Sequence, residues 1–491
     1  MLLVLKDSVI YLIAIFGSRL FSIIYKTILA RMLGPRDYGL WNILALILIY
    51  GNFLHLGLCY ALVKEVSFYR GKEKWREIIE IRNTVFTSVM IFSTIAGIII
   101  FILSIFLNKH ENGLFVVFCI IAFILILQQI KNYFLYYFIA EKNFKAVSEL
   151  IFCLTFFIGS TTVILVTKLR FIGLPLGITL GYLLALFYIF NKYKPIFEFR
   201  INYINIKRFF SLIKIGFPIM LVVIAYTLFL TIDRVLIFKY IGKENLGYYS
   251  IVFALSGFLI LFPVSFGIII FPRLSEKYGA VGEAKGLKEF IYMPTVMLAY
   301  FMAALSGLIY LFLPTAVKII IPQYIPGINA GRIALAGIMF LSASIFAQKF
   351  LIVINRQIQT LFIILSAIAL KLVLIYIFIN RHMGINGVAL AGNIIYFGYS
   401  IFIIIFASYY CKISLLESMD YLIKIYLPFI YLLLILLISN YFKQASILNI
   451  GNEIMHISIT FILFTIFVVV PFGYVIKKKL CSFLNLNIYK D

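Results

Sequence analysis

The sequence predicts an all-α protein that crosses a membrane many times, and three observations support this. Of the 491 residues, 64% are hydrophobic and only 13% are charged, and the mean hydropathy is +1.09. A soluble globular domain is about 45–50% apolar and about 25% charged. Apolar stretches of about 20 residues, which are long enough to cross a bilayer as helices, recur along the whole chain. These features exclude a soluble enzyme, a secreted disulfide scaffold and a disordered protein.

Breaks at glycines, prolines and charge clusters divide the chain into fourteen predicted spans. Their approximate limits are 9–31, 38–62, 84–107, 114–140, 147–167, 173–190, 215–241, 247–271, 291–313, 328–354, 360–379, 387–410, 425–442 and 456–476. The longest predicted cytoplasmic connection separates the first six spans from the rest. We therefore predict an N-terminal lobe (1–190), a cytoplasmic connection (191–214), a C-terminal lobe (215–410) and a last segment (411–491) with two further spans and a cytoplasmic tail.

The positions of Lys and Arg predict the orientation in the membrane. Loops on the side of the N-terminus hold roughly three times as many of these residues as the opposite loops, and such an excess marks the cytoplasmic side. We therefore expect both termini in the cytoplasm and a multi-pass protein of the plasma membrane. The net charge of +24 is explained mainly by this topology, so no nucleic-acid partner is expected.

The first twelve spans contain a predicted internal repeat. When the chain is aligned with itself at an offset of 208 residues, Gly34 meets Gly242 and Lys26 meets Arg234. Coincidence in a chain rich in Ile, Leu and Phe is the alternative explanation. Because six spans are an even number, both copies would enter the membrane from the same side. This predicts two lobes related by a pseudo-twofold axis along the membrane normal, with a cavity between them.

Cations predominate among the ionisable residues inside the predicted spans. Arg19 and Lys26 are seven residues apart, which places them on one face of the first helix. Arg234 lies in span 7 and Lys371 lies in the middle of span 11. Since an isolated charge at membrane depth is costly, a bound anion would be a natural counter-charge. Snorkelling of the long side chains to the head groups is the alternative.

Two other ionisable residues inside spans have two interpretations each. Asp233 is either a structural ion-pair partner that fixes helix register or a group that couples transport to a proton or cation. His55 is either a pH-sensitive or substrate-contacting group or a buried histidine with satisfied hydrogen bonds.

No catalytic motif stands out in the sequence. HExxH, GxSxG and P-loop patterns are absent, and the five cysteines have no CxxC spacing. We therefore expect no catalytic residues, no metal and no cofactor. A transporter is the preferred interpretation, and a membrane-embedded glycan polymerase or glycosyltransferase is an alternative.

Several short motifs resemble one known family. They are residues 29–41 (LARMLGPRDYGLW), 232–234 (IDR), 242–250 (GKENLGYYS), 271–274 (FPRL) and 384–389 (GINGVA). In combination they resemble polysaccharide and lipid-linked oligosaccharide flippases of the multidrug/oligosaccharidyl-lipid/polysaccharide exporter (MOP) superfamily. The resemblance covers spans 1 to 12, and spans 13 and 14 fit the fourteen-span members.

This resemblance implies a fold, a substrate and a mechanism. Two six-helix lobes would surround a central cavity and flip a polyprenyl-diphosphate-linked oligosaccharide to the outer leaflet by alternating access. We expect Arg19, Lys26, Arg234 and Lys371 to bind the diphosphate. A glycan polymerase or glycosyltransferase is the expected partner, the transporter is expected to be a monomer, and its role would be surface-polysaccharide or glycan biosynthesis. A cation-coupled multidrug exporter of the same superfamily is the first alternative, and the membrane-embedded glycan polymerase or glycosyltransferase is the second.

Overall fold

A computed structural model describes residues 2–107, 112–193, 205–267, 274, 278, 284–444, 461–462 and 464–477. Throughout these ranges the regular structure is helical and contains no β-strand. Ten of the described helices are long and apolar enough to cross a membrane. The predicted fold class, an all-α multi-pass membrane protein, is therefore confirmed. Most of the predicted connection 191–214, most of the 271–274 motif and parts of the segment 411–491 lie outside the described residues.

Contacts along the chain group it into two compact units, Met1–Arg234 and Val235–Asp491. Helices of the first unit are α1 (Leu2–Gly51), α2 (Leu58–Gly71), α3 (Trp75–Leu107), α4 (Asn112–Ala140), α5 (Phe144–Lys192) and most of α6 (Ile206–Tyr240). Helices of the second unit are α7 (Lys243–Tyr248), α8 (Ser250–Leu259), α9 (Lys288–Ile320), α10 (Ile328–Val353), α11 (Gln357–Asn380), α12 (Gly384–Tyr410), α13 (Leu415–Gln444) and the shorter α14 (Thr465–Lys477). The predicted limits of the lobes and the axis between them stay predictions.

Two helices of the first unit are each long enough to supply two spans. The 50-residue α1 has a non-helical residue at Gly34, followed by Pro35. The 49-residue α5 has one at Arg170, with φ 47° and ψ −125°. Each break falls between two predicted spans, so the described helices agree with about fourteen crossings.

The predicted span 38–62 is wrong as a single helix. Helix α1 ends at Gly51, α2 begins at Leu58, and residues 52–57 form a series of turns between them. Leu56 and Gly57 have positive φ angles of 46° and 85°. A continuous α-helix cannot pass through such residues, so this span is a broken helix.

The core of the first unit includes the beginning of α6. Leu58, Val85, Phe138, Val147 and Leu212 are fully buried together and come from five different helices. Burial of these apolar side chains packs the first turns of α6 among α2 to α5.

Polar contacts reinforce the same end of α6. An ion pair joins Arg208 to Glu77 on α3, and the Arg208 guanidinium lies 5.0 Å from the ring centroid of Tyr69 on α2. A second ion pair joins Arg70, at the end of α2, to Glu141, which follows α4. The start of α6 is therefore fixed to the first unit by both apolar and charged contacts.

The two units share unusual backbone conformations at positions that the predicted repeat aligns. Gly34 has φ 75° and ψ 171°, and Gly242 has φ 107° and ψ 166°. This region of backbone space is essentially restricted to glycine. The shared conformation supports the predicted repeat in its predicted register.

Two further pairs of connections also match between the units. Lys142, between α4 and α5, and Asn355, between α10 and α11, have φ angles of 55° and 58°. Arg170 and His382 have φ angles of 47° and 56° and lie at the next connection of each unit. These pairs are separated in sequence by nearly the same distance as Gly34 and Gly242. The order of helices and turns is therefore repeated along the chain.

Alanine at Gly34 or Gly242 should destabilise the protein by about 1–3 kcal/mol, because both substitutions force a residue with a Cβ into a glycine-only conformation. A Cβ at Gly242 meets nothing within 4 Å, so its cost comes from the backbone angle alone. Gly17→Ala and Gly398→Ala, one in each unit, are matched controls at helical sites with open space. We expect these controls to be neutral or stabilising. Thermal unfolding of the purified protein in detergent compares the four variants, and equal melting temperatures would contradict the prediction.

Candidate anion-binding site

Helix α1 presents Arg19 and Lys26 on one exposed face. The two residues are separated by about two helical turns, and both side chains are exposed. Ser18, which directly precedes Arg19, is buried, and Ser22, between the two cations in sequence, is half-buried. The predicted placement of the cations on one face of the first helix is therefore seen in the structure.

Helix α6 brings a third cation to this face. The positive charges of Arg19 and Arg234 both act on Lys26, so each of these two cations lies within electrostatic range of Lys26. Arg234 is half-buried, and Asp233 beside it is buried. The Asp233 carboxylate accepts a hydrogen bond of 3.1 Å from the backbone N–H of Arg234. Three of the four predicted cations and the predicted acid thus lie in the first unit.

Tyr25 and Tyr38 lie near the cations, Tyr182 lies near Tyr25, and none of the three was predicted from the sequence. Tyr25 forms a side-chain hydrogen bond with Ser22 and lies within range of the Arg19 charge. Tyr38 lies within range of both Tyr25 and Arg234, and Tyr182 lies within range of Tyr25. Tyrosine hydroxyls donate hydrogen bonds to anions. Only Tyr25 could have been suspected, from its position next to Lys26.

A glycine on α5 allows the aromatic part of this site to pack. A Cβ at Gly159 would lie 2.6 Å from the Phe21 ring and 2.8 Å from the Tyr25 ring. Real side chains do not approach so closely, so any larger residue at this position would push both rings away. The packing of α5 against α1 therefore positions Tyr25 beside Arg19.

A hydrogen bond fixes α6 against the second half of α1 close to the cations. The hydroxyls of Tyr50 and Thr231 are 2.7 Å apart. Thr231 also donates to the carbonyl oxygen of Thr227 at 2.8 Å. Arg234 follows Thr231 by less than one helical turn. This bond therefore holds the part of α6 that carries Asp233 and Arg234.

His55 lies in the turn between α1 and α2 and not within a helix. Its Nδ1 accepts a hydrogen bond of 3.0 Å from the backbone N–H of Gly57, and its side chain is buried. The rings of Tyr60 and Tyr136 contact it edge-on at centroid distances of 5.2 and 6.0 Å. These contacts give His55 a structural role in the turn, and a coupling role stays a prediction.

Lys371, the fourth predicted cation, lies in the second unit. Its side chain is fully buried, and its Nζ donates a hydrogen bond of 2.9 Å to the Tyr396 hydroxyl on α12. The same ammonium lies 4.9 Å from the centroid of the Tyr396 ring. The candidate anion-binding site therefore consists of the three cations of the first unit, Arg19, Lys26 and Arg234.

Metal binding finds no support in the part of the chain that the structure describes. Within it, no group of three or more His, Cys, Asp or Glu residues is placed to hold an ion. A cluster of cations with hydroxyl donors is instead suited to a phosphate or carboxylate ligand.

Comparison with protein families identifies the chain. The family model described as "Polysaccharide biosynthesis protein" matches residues 4–277, which is more than half of the sequence. The chain belongs to this family. A search of curated proteins finds no match. The resemblance drawn from the short sequence motifs is confirmed, since the match includes the motifs at residues 29–41, 232–234 and 242–250.

Solved structures show the fold. An inward-facing multidrug resistance MATE transporter of the MOP superfamily superposes with a TM-score of 0.69 at 12% identity, covering 80% of this chain and 94% of that one. The lipid II flippase MurJ in an inward closed conformation gives 0.66 at 17% identity, covering 96% and 100%. A MOP superfamily transporter from Pyrococcus furiosus gives 0.62 at 13% identity, covering 83% and 95%. The chain therefore has the fold of MOP superfamily transporters.

Proposed function

We propose that this protein flips a polyprenyl-diphosphate-linked oligosaccharide from the cytoplasmic to the outer leaflet of the plasma membrane by alternating access. The observation that supports the proposal is the grouping of Arg19, Lys26 and Arg234, with one acid, Asp233, beside them. The family match to polysaccharide biosynthesis proteins points to the same class of substrate. Both termini would lie in the cytoplasm, and the transporter would act as a monomer beside a glycan polymerase or glycosyltransferase.

The charges of the site suit a diphosphate diester. Such a group carries two negative charges, and taking them out of water is costly unless cations replace the lost hydration. Arginine can bind phosphate oxygens through two parallel hydrogen bonds, and lysine supplies a compact charge. Three cations and one acid leave two net positive charges, which match the two negative charges of the ligand.

The membrane potential provides a driving force for this transport. Outward movement of an anion is favoured by an inside-negative potential at about 2.3 kcal/mol per charge per 100 mV. Two charges therefore gain twice this amount. A cationic drug would gain nothing from this potential on its way out, and a site with three cations would repel it. The charge of the site thus favours the glycolipid over the multidrug alternative.

A reconstitution experiment tests the proposal. The full-length protein is placed in liposomes that contain a fluorescent polyprenyl-diphosphate disaccharide, and an impermeant quencher is added outside. We expect the fraction of lipid protected from quenching to fall faster than in protein-free liposomes. An inside-negative potential should accelerate outward movement of the lipid by those protein molecules whose cytoplasmic side faces the liposome interior.

Two results of this experiment would contradict the proposed function. One is an unchanged protected fraction. The other is transport of a cationic dye by a preparation that leaves the glycolipid in place. A fluorescent phosphatidylcholine in the same liposomes is the control, and we expect no acceleration of its movement.

A further inference from the structure

A polar cluster surrounds the break between α1 and α2, apart from the three cations described above. Gln128 on α4 donates a hydrogen bond of 3.0 Å to the Leu48 carbonyl, and Gln129 donates to the Gly51 carbonyl. Asn52 donates to the Leu48 and Ile49 carbonyls at 3.2 and 3.3 Å. Backbone groups freed by a helix break must be satisfied within the protein at membrane depth. These amides satisfy them and keep the break polar.

Lys131 is the cation of this cluster. Its Nζ donates to the Asn132 side-chain oxygen at 2.6 Å, and Asn132 in turn donates to the Asn52 side-chain oxygen at 3.2 Å. Lys131 lies about 14 Å along α4 from the helix end at Ala140. That distance is about half of the hydrocarbon thickness of a bilayer, which is roughly 30 Å. Lys131 therefore lies well inside the helix and not in its last turn.

Among the residues that the structure describes, Lys131 takes part in none of the ion pairs. His55 and Cys59 are two titratable side chains within electrostatic range of Lys131. His55 is the acceptor of the Gly57 N–H and supplies no negative charge. The ammonium has three donors and gives one to Asn132, so two remain for a ligand.

The surroundings of Lys131 have the composition of a sugar-binding surface. The side chain is half-buried and therefore accessible. The rings of Tyr60 and Tyr136, which pack edge-to-face at 5.4 Å, lie with His55 at the same break. Aromatic rings offer apolar faces with a polar edge, and the asparagine amides both donate and accept hydrogen bonds. Pyranose rings present apolar faces and hydroxyls, which are complementary to these groups.

We propose that the Lys131 ammonium, positioned by its hydrogen bond to Asn132, binds an acidic substituent on the sugar part of the substrate, either a carboxylate or a phosphate. This inference rests on the proposed function and assigns a class of glycan. The diphosphate has its own cations in Arg19, Lys26 and Arg234.

The end of α1 connects the two sites through its hydrogen bonds to α6 and α4. Asn52 follows Tyr50, and Tyr50 is bonded to Thr231, one turn before Arg234. A glycan that extends from a diphosphate at the three cations can therefore reach the broken helix. The charge at Lys131 then favours substrates whose glycan carries an anion.

Two probes that differ only in the sugar test the inference in the liposome assay. One is a fluorescent polyprenyl-diphosphate disaccharide that contains glucuronic acid, and the other is its neutral glucose counterpart. We expect the wild-type protein to move the acidic probe faster. Lys131→Gln should reduce the ratio of acidic to neutral rates by about tenfold, because one charge-assisted hydrogen bond is lost. Lys131→Arg should keep most of the ratio.

Matched variants separate this inference from the proposed function. Lys26→Gln should slow both probes and leave their ratio unchanged, because both carry the diphosphate. Lys239→Gln, at the exposed end of α6, should change neither rate. Melting temperatures are measured to check that each variant is folded. Lys131→Met is a second neutral replacement of similar length.

Several results would overturn the assignment of an acidic glycan. One such result is a wild-type ratio of acidic to neutral rates near one. Another is an equal loss of both rates in folded Lys131→Gln and Lys131→Met, because that result would assign Lys131 to the diphosphate. An unchanged ratio in both variants would also overturn it. If the wild-type protein moved neither probe, the proposed function would fail, and the inference that rests on it would fail with it.

Discussion

The Arg19→Ala, Lys26→Ala double variant should lose transport of a polyprenyl-diphosphate oligosaccharide by at least a hundredfold, with normal folding. Each cation offers the substrate a charge-assisted hydrogen bond, and such bonds contribute about 1.5–3 kcal/mol each. Loss of two bonds therefore corresponds to a factor of at least 10². Both side chains are exposed, so their removal leaves no cavity. Since Arg19 and Lys26 repel one another, the variant should melt at or above the wild-type temperature.

Conservative and distant substitutions distinguish site chemistry from general damage. Arg19→Lys keeps the charge but loses the two parallel hydrogen bonds, so transport should be partly retained. Arg332→Ala is the control for a cation outside the site. Its guanidinium lies 4.5 Å from the Tyr310 ring centroid, and its Nε donates to the Tyr310 carbonyl at 3.3 Å.

Transport rates in liposomes and protein levels in membranes are the measurements for these variants. Arg332→Ala should transport at close to the wild-type rate. Full transport by the double variant would show that this face of α1 does not bind the diphosphate.

The sequence was informative about the cations on α1 because helical periodicity alone decides which residues share a face. Arg19 and Lys26 are separated by seven residues, which is close to two full turns. The repeat alignment also singled out Arg234 as the counterpart of Lys26, and the structure brings these two charges into range of each other. Spacing along one helix and symmetry between segments are both visible in a single sequence.

The tyrosines of the site and the environment of Lys371 depend on packing between helices. Tyr182 comes near Tyr25 only because α5 folds back at Arg170 and packs on α1. Lys371 in the middle of an apolar span suggests a residue facing a cavity. The structure buries it fully, and Tyr396 on a neighbouring helix accepts one of its hydrogen bonds. Hydropathy measures the cost of burying a charge and contains no information about which partner offsets that cost.

The broken helix was missed for a different physical reason. Residues 38–62 are apolar almost throughout, so hydropathy predicts one continuous span. The break is made by the positive φ of Leu56 and Gly57 and is stabilised by Gln128 and Gln129 from α4. Local sequence offers only two glycines, Gly51 and Gly57, as a signal, and isolated glycines also occur in intact membrane helices.

Gly216→Ala should strongly destabilise the protein, because the break at Gly57 is in direct backbone contact with α6. A Cβ built at Gly216 overlaps the backbone of Gly57, and a Cβ built at Gly57 overlaps the backbone of Gly216. Backbone atoms cannot move aside as a flexible side chain can, so the two segments must separate. Small residues allow such close approach between membrane helices. Overpacking of this kind typically costs about 1–3 kcal/mol, and a clash between two backbones falls at the upper end.

Gly257→Ala is the control that separates the effect of the backbone contact at Gly216 from the effect of alanine on helix propensity. Both Gly216 and Gly257 lie in helices, but a Cβ at Gly257 meets nothing within 4 Å. Alanine at Gly257 should therefore be neutral or stabilising. Melting in detergent should show a clear loss for Gly216→Ala and none for Gly257→Ala, whereas equal melting temperatures would disprove the close contact. Since α6 continues from Gly216 to Arg234, a displaced helix would also move the third cation away from Lys26. Transport by Gly216→Ala, measured at a temperature where it remains folded, should then fall together with its stability.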